Sequence, residues 1–175
     1  IRYMVPVMLL TDGYIANAAE PWRVPDMSNY APFPKAFFEQ VPAEGERLLP
    51  YARNADLARP WITPGTPGLE HRIGGIEKQP GTGNIDYRPE VHQEMTDTRA
   101  AKVLGVANSI PDQEICLGRE GAAVAVVGWG STFGPIHQAV RRALARGQDV
   151  AHVHVRHIWP MPKNMAVLLQ GFGNI

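Results

Sequence analysis

Apolar and polar positions along the chain fall into stretches with different periods. Val5 to Leu10 is a short apolar run that breaks at Thr11-Asp12-Gly13. Such a run predicts a buried strand, followed by a short helix to about Ala19 that Pro21 stops. Between Pro89 and Ile110, the apolar residues Val91, Met95, Val103, Val106 and Ile110 recur at helical steps and make one face. Proline suits the first turn of that helix, and Pro111 ends it. The clearest unit spans residues 122 to 155. AAVAVVG has the continuous apolar pattern of a strand buried on both faces. The glycine-rich turn GWGSTFG follows. Pro135 to Arg146 is then an amphipathic helix carrying Ile136, Val140, Ala143 and Leu144 on one side, with Gly147 as its stop. VAHVHV supplies a second strand. Strand, helix and strand in this order predict a parallel crossover. A further short helix is expected around Asn164 to Gln170.

Composition changes the reading of the stretch between these units. The 175 residues include 17 glycines and 16 prolines, and eleven of the prolines lie between Pro21 and Pro89. Proline removes a backbone donor and fixes φ, so no long helix or central strand fits there. The same stretch holds Trp22, Tyr30, Phe33, Phe37, Phe38, Tyr51, Trp61 and Tyr87. Flexible linkers are poor in aromatics because nothing buries them. A long ordered arm, clamped onto a surface by aromatic anchors, is therefore expected.

Charge and cysteine content narrow the function classes. Net charge is zero, with 17 basic and 17 acidic residues, which argues against a nucleic-acid or anionic-membrane partner. No run approaches the ~18 apolar residues of a membrane span. The single Cys116 excludes an internal disulfide framework and a self-contained four-cysteine site. The chain begins at Ile1, and Gly171 to Ile175 stand where an alternating α/β sheet calls for another strand. Both ends thus read as cut from a longer protein.

Three constellations could carry chemistry. Glu70, His71 and Arg72 bring an acid, a proton carrier and a fixed cation into one glycine-rich loop. That mixture suits a carboxylate or phosphate ligand, and equally a salt-bridged structural loop. The turn Gly128-Trp129-Gly130-Ser131-Thr132-Phe133-Gly134 sits between a strand and a helix, where Gly128, Gly130, Ser131 and Thr132 could present amides and hydroxyls to an anion. Its G-x-G-x-x-x-G spacing departs from the dinucleotide fingerprint, and Arg156 and His157 stand where a ribose-binding acid belongs. His152, His154 and His157 lack a fourth ligand, and Arg156 would repel a cation. No metal site is expected, and these histidines should hydrogen-bond locally at the sheet's end.

Four separated motifs, in order, resemble one family. They are VPVMLLTDGYIANAAEPW, ARPWITPGTPGLEHRIGGIEK, GNIDYRPEVHQEMTDTRAAKV, and AVVGWGSTFGPIHQAVRRALARGQDVAHVHVRHIWPMPKN. The chain is similar over nearly its whole length to the alpha subunit of 2-oxoacid:ferredoxin oxidoreductases, of the 2-oxoglutarate type. The resemblance implies an α/β fold, a Rossmann-like, transketolase C-terminal-like parallel sheet joined to the proline-rich arm. Residues 1–22 would be the tail of a pyrimidine-binding thiamine domain. Residues 23–114 would be the connector arm and long helix, and residues 115–175 the truncated transketolase C-terminal-like domain. That module binds no dinucleotide in its relatives, which favours a structural role for the glycine turn. The resemblance also implies thiamine diphosphate, magnesium and an iron–sulfur cluster in a complex with a beta subunit, with ferredoxin and CoA as partners, in the cytoplasm. By the same resemblance, the cluster, diphosphate and magnesium sites would belong to the beta subunit. The carboxylate that activates the pyrimidine lies upstream of Ile1, so this segment alone should be inactive and bind no cofactor. The family often has an acidic pair after the Glu-His of the loop. Arg72-Ile73 stands there instead, so no role of that pair is carried over. A nucleotide-binding Rossmann-like module and a pure subunit-assembly module are the competing readings.

Overall fold

A computed structural model describes residues 1–33 and 35–175; Pro34, one of the eleven clustered prolines, lies outside them. The chain divides into two compact units. One comprises Ile1–Pro6 with Asp26–Val106, and the other Val7–Pro25 with Ala107–Ile175.

The second unit contains the sheet. Strands β1 (Val124–Trp129) and β2 (Val150–Val155) pair in parallel, with Val124 opposite Val150 and Trp129 opposite Val155. The helix between them begins slightly before its expected start, after a 3-10 turn at Gly130–Thr132. We number the helices in chain order: α1 (Gly13–Asn17), α2 (Pro89–Gly105), α3 (Phe133–Ala145) and α4 (Met165–Gln170). Side chains alternate across a strand, so each face of the sheet has its own cover. Ala125, Ala151 and Val153 pack with Leu168 of α4 and with Phe172. The opposite face carries His152 and His154 against Phe133 and His137 of α3. On α3, Val140 is buried and Ile136, Ala143 and Leu144 are half-buried, which is the expected apolar side. Both edges of the pair gain short additions. Leu117 bridges His152 antiparallel, and Asn174 bridges Val124 in parallel, with the Asn174 carbonyl accepting from the Ala125 amide at 2.9 Å.

Two expectations for this unit fail. Val5–Leu10 forms no strand, and Met8 is 83% exposed. An apolar run becomes a buried strand only beside a partner strand, and none of the described residues pairs with it. The histidines do not hydrogen-bond locally as a group. His152 is fully buried, and neither of its ring nitrogens has a hydrogen-bond partner among the described residues. Its neighbours are the rings of Phe133, His137 and His154, at 5.4–5.9 Å between centroids.

In the first unit, α2 starts with Pro89 and buries Val91 and Met95, as its periodicity requires. A 3-10 turn at Val106–Ser109 continues it toward Pro111. Among its described residues, the proline-rich stretch has almost no regular structure beyond a 3-10 turn at Met27–Asn29. It folds through isolated bridges, Phe37 with Trp61, Tyr51 with Gly81, and Lys78 with Ile85. Phe37 and Trp61 meet edge to face at 5.1 Å. Tyr30, Phe33 and Tyr87 bury little surface, each being more than half exposed, and so does Trp22 of the other unit.

Candidate functional site

Glu70, His71 and Arg72 come together on one surface. They line an open groove of about 450 Å³ with Glu46, Arg47 and Asn84. The loop that carries them is a chain of tight turns. The Thr63 carbonyl accepts from the Thr66 amide at 3.2 Å and from the Thr66 hydroxyl at 2.8 Å, and the Thr66 carbonyl accepts from the Leu69 amide at 3.2 Å. Leu69, 1% exposed, anchors the loop in the unit's interior. The next three residues are therefore held at the rim.

The histidine of the trio has a defined tautomer. His71 Nδ1 donates to the Leu69 carbonyl at 2.8 Å, since a carbonyl can only accept. Nε2 is then the ring's free acceptor when the imidazole is neutral. Arg47 Nη2 donates to Asn84 Oδ1 at 3.0 Å, which fixes a second guanidinium in the same groove. Glu46 accepts from the Ala43 amide at 3.3 Å. Among the described residues, neither Glu70 nor Arg72 forms an ion pair. The salt-bridged version of this loop is thus not the one seen. Two guanidiniums and an imidazole can together hold a carboxylate or phosphate group. Arg47, Glu46 and Asn84 were not singled out from the sequence, because they lie 12 to 26 residues from the loop and no motif links them.

The glycine turn has a different local arrangement. Gly128 lies where a Cβ would fall 2.3 Å from Ile136 Cδ1 and 2.8 Å from Thr132 Oγ1, so glycine there allows α3 to approach the sheet. The Thr132 hydroxyl donates to the Trp129 carbonyl at 2.6 Å. Asp12 sits beside the turn. The Ser131 hydroxyl, followed by the Ile15 amide, holds its carboxyl below the ordinary carboxylate range. A carboxylate of the same chain thus already engages Ser131, and Gly130 leaves open space around its own α-carbon.

No protein-family model matches the chain. The whole chain is 44% identical over 176 aligned residues to the 2-oxoglutarate oxidoreductase subunit KorA of Mycobacterium tuberculosis, of which it spans 26%. The chain is thus similar, along its whole length, to one part of a 2-oxoglutarate oxidoreductase subunit. The alpha subunit of 2-oxoacid:ferredoxin oxidoreductase 1 from Aeropyrum pernix is 28% identical over 93% of the chain, and the chain spans 25% of it. A solved 2-oxoglutarate:ferredoxin oxidoreductase from Magnetococcus marinus, with 2-oxoglutarate, coenzyme A and succinyl-CoA bound, superimposes on 85% of the chain. The TM-score is 0.70 at 25% identity, and 25% of that longer chain is covered. The chain thus spans about a quarter of the length of the oxidoreductase subunits it matches.

Among the described residues no group of three or more His, Cys, Asp or Glu side chains is placed to hold a metal ion. One cysteine cannot provide the thiolates of an iron–sulfur cluster. No helix among the described residues is long and apolar enough to cross a membrane.

Proposed function

We propose that this chain is part of the alpha subunit of a 2-oxoglutarate:ferredoxin oxidoreductase. That enzyme would decarboxylate the 2-oxoacid, pass two electrons to ferredoxin and form the acyl-CoA. The observation that carries the reading is the 44% identity to the mycobacterial subunit along the full 175 residues. The reading includes a beta subunit as partner, ferredoxin and CoA as co-substrates, and a cytoplasmic setting. Thiamine diphosphate would supply the nucleophile for decarboxylation in the complex. Residues 1–22, 23–114 and 115–175 are assigned to the thiamine-domain tail, the connector with its long helix, and the transketolase C-terminal-like module.

Within this chain the work is recognition. We place the groove at Glu70, His71 and Arg72 close to the substrate, with Arg72 and Arg47 as carboxylate-binding cations. Glu70 would exclude wrongly placed anions by repulsion. A charge-assisted hydrogen bond contributes roughly 1.5–3 kcal/mol. Arg72→Gln in the full-length protein, assembled with its beta subunit, should therefore raise the KM for 2-oxoglutarate about tenfold or more and leave kcat close to wild type. An unchanged KM removes Arg72 from the site. Absence of 2-oxoglutarate-dependent reduction of a low-potential acceptor by the assembled wild type removes the enzyme assignment itself.

A further inference from the structure

A second cavity, of about 670 Å³, opens in the unit formed by Ile1–Pro6 and Asp26–Val106. Its wall joins the aromatic residues Phe37 and Trp61 to the guanidiniums of Arg53 and Arg59. The one carboxylate in the wall is already engaged, since Arg2 Nε and Nη2 donate to Asp56 at 2.9 and 3.4 Å. Arg53 is held in place by a bond from Nη1 to the Leu57 carbonyl at 2.8 Å. Arg59 lies over the Tyr51 ring, 5.6 Å from its centroid. Lys102 Nζ donates at 3.3 Å to the carbonyl of Met4, itself a lining residue. Among the described residues, none of Arg53, Arg59 and Lys102 forms an ion pair.

These charges are close enough to act on one another. Burial holds Lys102 below the ordinary lysine range, and Arg53 and Arg59 push it further down. Burial is also the largest influence lowering Arg53, with Arg99 and Arg59 adding to it. Arg99 has its own acid, Glu77, at 3.5 Å. Three partly buried cations without a counter-charge disfavour the folded state unless an anion joins them.

We propose that this cavity binds a phosphate-bearing small anion through Arg53 and Arg59, with Lys102 as the third positive charge. Guanidinium forks match phosphate oxygens in bidentate geometry. Three positive charges suit a multiply charged phosphate group better than a single carboxylate. The site is distinct from the groove at Arg72, and binding is measured without turnover, so its outcome is independent of the enzyme assignment.

The test is calorimetric titration of pyrophosphate into the full-length protein that contains this chain, at constant ionic strength. The expected result is saturable binding that Arg59→Gln weakens tenfold or more and Lys102→Met several-fold. Arg146→Gln, an exposed charge in the other unit, should leave it unchanged. Succinate, a dicarboxylate without phosphate, should bind at least tenfold more weakly. Lack of saturable binding overturns the proposal. So does equal weakening by Arg146→Gln, or succinate binding as tightly as pyrophosphate. Arg53→Gln also removes the bond to Leu57 and could unfold the loop, so Arg59 and Lys102 carry the decision.

Discussion

Gly118→Ala tests the edge of the sheet at a single atom. Gly118 follows Cys116 and Leu117, which exchange backbone hydrogen bonds with His152 at 2.8 Å each. Its φ is +93°, a conformation that alanine rarely adopts. A Cβ there would sit 2.5 Å from the Val150 carbonyl oxygen and 2.7 Å from Ala151 Cα. Both are backbone atoms of β2, and Ala151 is fully buried, so neither can retreat cheaply. The left-handed conformation costs about 1–2 kcal/mol for a residue with a Cβ, and overpacking against a fixed neighbour adds about 1–3 kcal/mol. A loss near 3 kcal/mol is expected from these two effects. Gly147→Ala provides the control, because its φ is +79° and nothing lies within 4 Å of its Cβ position. Only the conformational part, about 1 kcal/mol, should appear there. Three of the four tryptophans, Trp22, Trp129 and Trp159, belong to the unit that contains the sheet, so tryptophan fluorescence in urea follows its unfolding. For a urea slope of about 2 kcal/mol/M, the midpoint should fall by roughly 1.5 M for Gly118→Ala and about 0.5 M for Gly147→Ala. Equal shifts would mean that the approach of residue 118 to β2 costs nothing.

Other outcomes follow from buried groups. Burial first, then His154 and His137, holds His152 below the ordinary histidine range; burial and Arg156 do the same for His154. The folded unit thus binds fewer protons than the unfolded chain. Its stability is complete above the unfolded value, about 6.5, and is lost as pH falls through the lower folded values. The melting temperature should drop between pH 7 and pH 5, and His152→Leu should flatten that slope; an unaltered slope contradicts the assignment. Glu77 accepts from His92 Nδ1 at 2.6 Å, and this bond is the main reason its carboxyl is held below the usual range, with Lys78 and Arg99 assisting against burial. That stabilisation is present above the ordinary glutamate value and disappears as pH falls through the depressed one. Glu77→Gln should speed amide exchange in the first turn of α2, where His92 sits, and unchanged protection there would show that the pair holds nothing.

The sequence made β1, α3 and β2 legible because their signals are local. An apolar run, a glycine turn and a helical period stand side by side, and each element supplies its neighbour's partner. Val5–Leu10 misled for the complementary reason, since its strand pattern depends on a partner that the described residues do not provide. His152 also escaped. In sequence it looks like one of three polar residues near a strand end, whereas its register opposite Val126 and the cover by Phe133 bury it. The Glu70-His71-Arg72 loop was legible as a concentration of chemistry. Its partners Arg47 and Asn84 were not, because the bridges that draw the proline-rich segments together lack any periodicity. The same holds for Arg53, Arg59 and Lys102, which come from a loop and a helix separated by more than forty residues.

The most direct test of the proposed function is product analysis. The full-length protein, assembled with its beta subunit and thiamine diphosphate, is supplied with 2-oxoglutarate, CoA and oxidised ferredoxin. Carbon dioxide, succinyl-CoA and ferredoxin-borne electrons are then quantified together. The expected yield is one succinyl-CoA and one carbon dioxide for every two electrons, with formation of all three abolished when 2-oxoglutarate or CoA is left out. Absence of acyl-CoA and of reduced ferredoxin with 2-oxoglutarate and with every other 2-oxoacid tried would contradict it.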